Sequence, residues 1–315
     1  MDKALSIAGG GLAGLACGIR LRERGWQVTV HERGRYPLKK VCGEFLSPRG
    51  WARVVALGAA KHLSALPQPL RSARFYSGTR FHADVSLYPH AFWLSRGALD
   101  QAMAARFVEL GGELHEGSAL DPALPGIVDA TGRHSVPAVG AWMAWKGYLP
   151  ADRAPIELDT VDLLMLPLPK GYAGLSRVED GRVSVCLTAQ GPVRLPLLLD
   201  AHPVLRRCSQ YLEAHAAIAG FAFTGGPNTR AVGDARRVFP PVVGDGMTQA
   251  LRSGEARAER LGGTGKGEEA ALEARYRAAK LLHSLMLWPP GRRATVGICA
   301  LWPGLAQGLY RWSRG

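Results

Sequence analysis

The sequence predicts an α/β fold in which a glycine-turn βαβ unit opens the chain and a sheet-rich second domain interrupts the remainder of the first. Three observations predict it: a glycine turn between a strand pattern and a helix pattern at the amino end, an acidic residue closing the next strand, and a central block of short segments divided by glycine turns. With 315 residues, 47% of them hydrophobic and 21% charged, the chain can bury a sizeable core and form two domains.

Residues Ala4 to Ala8 form a short apolar run that enters Gly9-Gly10-Gly11-Leu12-Ala13-Gly14. Apolar Leu15, Ala16, Ile19 and Leu21 come next at helical spacing. Gly9, Gly11 and Gly14 fit G-x-G-x-x-G, in which the first glycine makes the tight turn. The second lets a pyrophosphate approach the backbone, and the third lets helix and strand pack closely. The pyrophosphate of a dinucleotide would sit on the helix N-terminus, where unpaired N–H groups and the helix dipole favour anions. Gly25 ends the helix, Trp26 to Val30 alternate as a second strand, and Glu32 closes it where a ribose-binding carboxylate belongs, with Arg33 beside it. An acid there favours FAD or NAD over NADP.

Four later segments resemble those of the flavoprotein superfamily that includes para-hydroxybenzoate hydroxylase, geranylgeranyl reductases and flavin-dependent halogenases. Val41-Cys42-Gly43-Glu44-Phe45 is similar to the Cys-Gly-Glu segment of the reductase-like members, and Ser95-Arg96-Gly97-Ala98-Leu99-Asp100 to the Arg-x-x-Leu-Asp helix start. Val128-Asp129-Ala130-Thr131-Gly132-Arg133-His134-Ser135 resembles the mid-chain strand and turn. Gly233-Asp234-Ala235, with Pro240-Pro241 and Gly244-Asp245-Gly246-Met247 after it, resembles the second flavin motif.

The resemblance implies a Rossmann-like FAD-binding domain of glutathione-reductase type with a discontinuous sheet-rich substrate domain and a C-terminal helical segment. Residues 1–70, 93–137 and 228–275 would form the first, 71–92 and 138–227 the second, and 276–315 the third. It also implies FAD as cofactor, held by Gly9, Gly11, Gly14, Glu32, Arg33, Cys42, Gly43, Arg96, Thr131, Gly132, Asp234, Gly244, Gly246 and Met247. Cys42 is the candidate nearest the flavin ring, its alternative being a buried small hydrophobe. Lys146 and Tyr172 are the candidates for the substrate side, with ordinary packing the alternative for Tyr172.

Within the central block, Val161 to Leu168, Gly171 to Val178 and Gly181 to Thr188 read as strands, as does Arg71 to Tyr88 before them. Pro203 to Ala217 reads as a helix. Gly262 to Gly267 resembles a phosphate loop but lacks its glycine spacing and its preceding strand, and reads as a solvated loop. Glu268 to Leu287 has helical periodicity, which Pro289-Pro290 stop.

Formal net charge is +13. The arginines are scattered and no nucleic-acid-binding motif accompanies them, so nucleic acid is not the expected partner. Five scattered cysteines without a C-x-x-C pair argue against a disulfide framework and a zinc site and fit a cytoplasmic protein. No nucleophile elbow supports hydrolysis. From Leu281 to Tyr310 the chain is apolar, with Trp288, Trp302 and Trp312 beside Arg292, Arg293, Arg311 and Arg314, but proline and glycine break it before the ~20 residues a bilayer span needs. It reads as a helical segment docked on the cofactor domain or as a peripheral membrane contact.

The function these features imply is FAD-dependent oxidation or reduction of a hydrophobic aromatic, polyketide or isoprenoid substrate, with NAD(P)H as donor. The chain holds no second dinucleotide fingerprint, so a nicotinamide would dock transiently. Monooxygenation is the expected reaction, on the weight of the superfamily. Reduction of a carbon–carbon double bond is the alternative that the Cys-Gly-Glu segment favours, and a non-catalytic flavin-binding protein is the rival from another class. The spacing of Trp142 and Trp145 departs from the halogenase segment and argues against halogenation.

Overall fold

A computed structural model describes residues 3–133, 141–223, 230–263 and 269–314. The expected loop at 264–267 and the end of the mid-chain motif at His134 and Ser135 lie outside the described residues. In chain order the elements are β1 (Ala4–Ala8), α1 (Leu12–Arg22), β2 (Gln27–Glu32), β3 (Phe45–Leu46), α2 (Pro48–Ala56), β4 (Gln68–Ser77), β5 (Phe81–Trp93), α3 (Arg96–Glu109), β6 (Glu113–Glu116) and β7 (Val128–Asp129). Then come β8 (Trp142–Leu149), β9 (Leu163–Leu168), β10 (Gly171–Arg177), β11 (Val183–Gln190), α4 (Leu195–Asp200), α5 (Pro203–Cys208), β12 (Glu213–Phe221), α6 (Gly246–Leu261), α7 (Glu269–Leu287), α8 (Pro289–Leu301) and α9 (Pro303–Arg314).

The fold is α/β, as the glycine turn and the alternating pattern predict. Two sheets carry it. The first is parallel, in the order β6-β2-β1-β7, so that β1 and its turn stand at the centre. Helix α1 is buried on almost every side because α3 and α6 both pack on it. Ala231 adds a parallel bridge to Asp129 and brings the second flavin-like motif beside the first.

The second sheet has eight strands in the order β12-β8-β11-β10-β9-β4-β5-β3, antiparallel except where β4 runs parallel to β9. Its core is a separate cluster around Leu164, Leu166, Leu175, Val185 and Leu187. The expected strands of the central block are all present.

Two elements depart from expectation. The helix expected from Pro203 to Ala217 ends at Cys208, and Glu213–Phe221 is instead the edge strand β12, paired with β8. Tertiary pairing outweighs the helix preference of its alanines. The C-terminal segment does dock on the protein, in part as expected: Tyr276 and Ala279 of α7 pack with Phe239 and Val243 of the expected cofactor domain, while α8 and α9 pack on β4 and β5 of the large sheet. Tyr310 Oη donates to the Pro89 carbonyl at 3.0 Å, and Ala306 and Tyr310 join Leu70, Val85 and Leu87 in one cluster. Pro289 and Pro290 end α7 and also open α8, where a missing N–H costs nothing.

Candidate active site

A cavity of about 910 Å³ runs between the two sheets. Its first end is the glycine turn. Gly9 has φ +110°, and a Cβ there would stand 2.2 Å from the Ala130 carbonyl oxygen, so only glycine fits. Gly14 is closed by backbone as well, its Cβ position lying 2.0 Å from Gly9 O. Gly11 differs: a Cβ there meets nothing within 4 Å, because that side of the turn faces the cavity. Gly11 is also the N-cap of α1, with no side chain capping it and no acid in the first turn, so the helix presents N–H groups without a local acceptor.

Glu32 is buried at the end of β2. Its Oε2 accepts from Gly10 N at 2.9 Å and its Oε1 from Gly34 N at 2.8 Å. Each oxygen keeps a lone pair for a hydroxyl. Arg33, Lys39 and Lys40 line the same end, Lys40 standing 4.0 Å from Glu32. A second helix N-terminus faces the cavity further along, where α6 begins at Gly246 and Met247 with no side-chain cap, after Gly244 in the left-handed region at φ +59°. Asp234 lines the wall between the two and pairs with Arg133 at 2.8 Å. Two uncapped helix starts, a carboxylate with free lone pairs and a basic rim fit an adenine dinucleotide.

Arg96 lines the cavity from the start of α3, paired with Asp100 at 3.0 Å and held in its charged form by that carboxylate. Thr131 and Gly132 line it from the turn after β7, where Thr131 N and Oγ1 both donate to Asp129 Oδ1, at 3.1 and 2.6 Å.

Cys42 and Gly43 line the middle of the cavity, as does Cys186 on β11, whose thiol is pushed up to about 12 by burial. Glu44, the glutamate of the Cys-Gly-Glu segment but not one of the expected site residues, is the best-organised group here. It is fully buried with a non-glycine φ of +58°, a conformation that needs outside support. Its Oε1 accepts from Arg96 N at 2.8 Å, from Tyr148 Oη at 3.0 Å and from Lys146 Nζ, while Oε2 has no hydrogen-bond partner. Lys146, expected on the substrate side, reaches Glu44 and is not among the residues that line the cavity. It stands behind the wall, almost wholly buried against Glu44, because a lysine on β8 reaches water only by leaving that carboxylate uncompensated.

Tyr172 does line the cavity, and its hydroxyl is already engaged. It accepts from Val242 N at 3.1 Å and lies 3.3 Å from His283 Nδ1, and burial pushes its pKa up, so the phenol stays protonated. The remaining walls are apolar: Phe75, Leu87, Leu163, Met165, Phe239 and, from α9, Tyr310. No local signal announces Tyr310, which arrives from the opposite end of the chain.

No family model matches the chain. It is 24% identical over 317 residues to the menaquinone reductase of Mycolicibacterium smegmatis, covering 80% of this chain and 75% of that protein. Among solved structures it resembles a flavoprotein/dehydrogenase from Cytophaga hutchinsonii, with a TM-score of 0.77 at 16% identity over 100% of this chain and 92% of that one. It resembles the flavin-dependent brominase Bmp2 with a TM-score of 0.74 at 18% identity, over 99% and 93%. The fold is thus the Rossmann-type fold of flavin-dependent enzymes, as the motifs predict.

Proposed function

We propose that the protein is an FAD-dependent oxidoreductase acting on a hydrophobic small molecule. One observation carries this reading: one cavity has an uncapped helix start and a ribose-type carboxylate at one end, a second uncapped helix start further along, and an apolar chamber beyond it. Bound there, FAD supplies two-electron redox chemistry. Glu32 accepts from ribose hydroxyls, the turn at Gly9, Gly11 and Gly14 admits the pyrophosphate to the first N–H groups of α1, and Arg33 and Arg96 offset its charge. Asp234, Thr131 and Gly132 serve the middle of the cofactor. Gly244, Gly246, Met247, Cys42 and Gly43 would hold its ring portion. NAD(P)H is the donor, docking transiently.

Of the reactions open to such a site we favour hydride delivery to a carbon–carbon double bond. Such a reaction needs a proton donor beside the ring, and Cys42, which lines the middle of the cavity, is the candidate for that role. The likeness to a menaquinone reductase over most of the chain supports the same choice. Monooxygenation is the second reading, favoured by apolar walls that keep water from the reacting centre.

Anaerobic turnover decides between them. Enzyme reconstituted with FAD is reduced by NAD(P)H without oxygen and mixed with isoprenoid quinones and polyenes. Reduced product under anaerobic conditions is the expected result. Product that forms only with labelled dioxygen and carries the label would replace it with monooxygenation, and a protein that takes up no flavin would sink both readings.

A further inference from the structure

The outer face of the C-terminal helices is apolar where it meets solvent. Helix α8 uses Gly291 and Val296 to dock, yet Ile298, Leu301 and, at the start of α9, Leu305 point outward, Leu301 being 72% exposed. Trp288 is the N-cap residue of α8 and Trp302 its C-cap residue, both 59% exposed. An indole therefore stands at each end of a helix about 20 Å long. A monomer rarely leaves such a stripe uncovered without a use for it.

The segment that carries the stripe has charge of one sign. No aspartate or glutamate occurs after Glu273, while Arg275, Arg277, Lys280, Arg292, Arg293 and Arg311 do. Arg293 is exposed on α8 beside the apolar residues. Leucines and tryptophans flanked by arginines, on a helix too short to span, match an anionic bilayer surface, in which indoles settle at headgroup level and arginines meet lipid phosphates. No helix among the described residues is long and apolar enough to cross a membrane.

We propose that this face docks on an anionic lipid bilayer, with α8 lying in the headgroup plane. The contact also bears on the cavity, since Tyr310 of α9 lines the apolar chamber beside Leu87, Leu163 and Met165. The helix that follows the docked one thus forms part of the wall of the apolar chamber. That link rests on the proposed function, whereas the docking itself does not.

The test is flotation of the full-length, FAD-reconstituted protein with phosphatidylcholine vesicles, with and without phosphatidylglycerol. Expected are binding that requires phosphatidylglycerol, weakens at high salt and falls about tenfold or more in the doubly substituted Leu301→Ser, Trp302→Ser protein. Both residues are exposed, so the variant keeps the wild-type melting temperature. Arg293→Gln lowers the phosphatidylglycerol-dependent part. No flotation of the wild type with either vesicle, or undiminished flotation of the double variant, overturns the proposal. So does a concentration-dependent dimer that the double variant dissolves, which would assign the face to a second copy of the chain. None of these readouts uses turnover, so a failed redox assay leaves them intact.

Discussion

Alanine at Gly11 and alanine at Gly14 separate the two duties of one glycine turn. Gly11 has φ −79° and ψ −177°, a conformation that alanine adopts freely, and its Cβ would meet no atom within 4 Å. Gly11→Ala should therefore leave the flavin-free protein within about 0.5 kcal/mol of wild type. With FAD present the added methyl stands between the pyrophosphate and the first N–H groups of α1. Two hydrogen bonds to a charged group, at about 1.5–3 kcal/mol each, give about 3–6 kcal/mol of lost binding, a roughly hundredfold to ten-thousandfold rise in Kd. Gly14→Ala fails by the other route. Its Cβ would lie 2.0 Å from Gly9 O, against backbone that cannot step aside, so α1 must shift off the turn. That costs about 3 kcal/mol or more before any cofactor is added. Melting of the flavin-free proteins and titration with FAD, monitored by quenching of flavin fluorescence, measure the two effects. A Gly11→Ala protein that holds FAD as tightly as wild type would refute the placement of the pyrophosphate.

Buried charge gives two further outcomes. Lys146→Met leaves the Glu44 carboxylate buried without its counter-charge and should cost about 3–5 kcal/mol in urea unfolding, while Glu44→Gln added to it restores most of the loss. Equal losses in the single and double variants would show that the ion pair is not the cause. His283 is packed among Trp142, Tyr172 and Phe223, and burial lowers its pKa to about 4 from a usual value near 6.5. The unfolded chain takes up that proton first as pH falls, so stability drops below pH 6.5 by about 1.4 kcal/mol per pH unit until the folded protein also protonates near 4. Melting temperatures across this range should show a slope that His283→Phe flattens, and an unchanged slope would remove His283 from the explanation.

Legibility in the sequence tracks distance along the chain. Gly9, Gly11, Gly14 and Glu32 declare themselves because a turn, a helix start and a strand end are local events with local residue requirements. The segment from Gly233 to Met247 is legible for the same reason. Lys146 is illegible because its partner Glu44 lies 102 positions away, and nothing near Lys146 distinguishes a buried, paired lysine from one that faces a ligand. Strand β12 hides in the same way, since Glu213 to Phe221, rich in alanine, acquires its conformation from β8. The seat of the C-terminal helices is likewise invisible, being a match between Ala306 and Tyr310 and a sheet built more than 200 positions earlier.

The contact between α1 and α6 has a consequence for the order of synthesis. Gly254 lies so close to α1 that a Cβ would stand 2.1 Å from Ala13 O, and Ala231 completes the edge of the parallel sheet at Asp129. When the amino-terminal strands and α1 leave the ribosome, their partners have not yet been translated. Almost every face of α1 is apolar, and one of those faces waits through the whole of the large sheet. The half of the protein made first is therefore finished last, and the emerging chain needs shelter for α1 until the segment after Arg230 arrives.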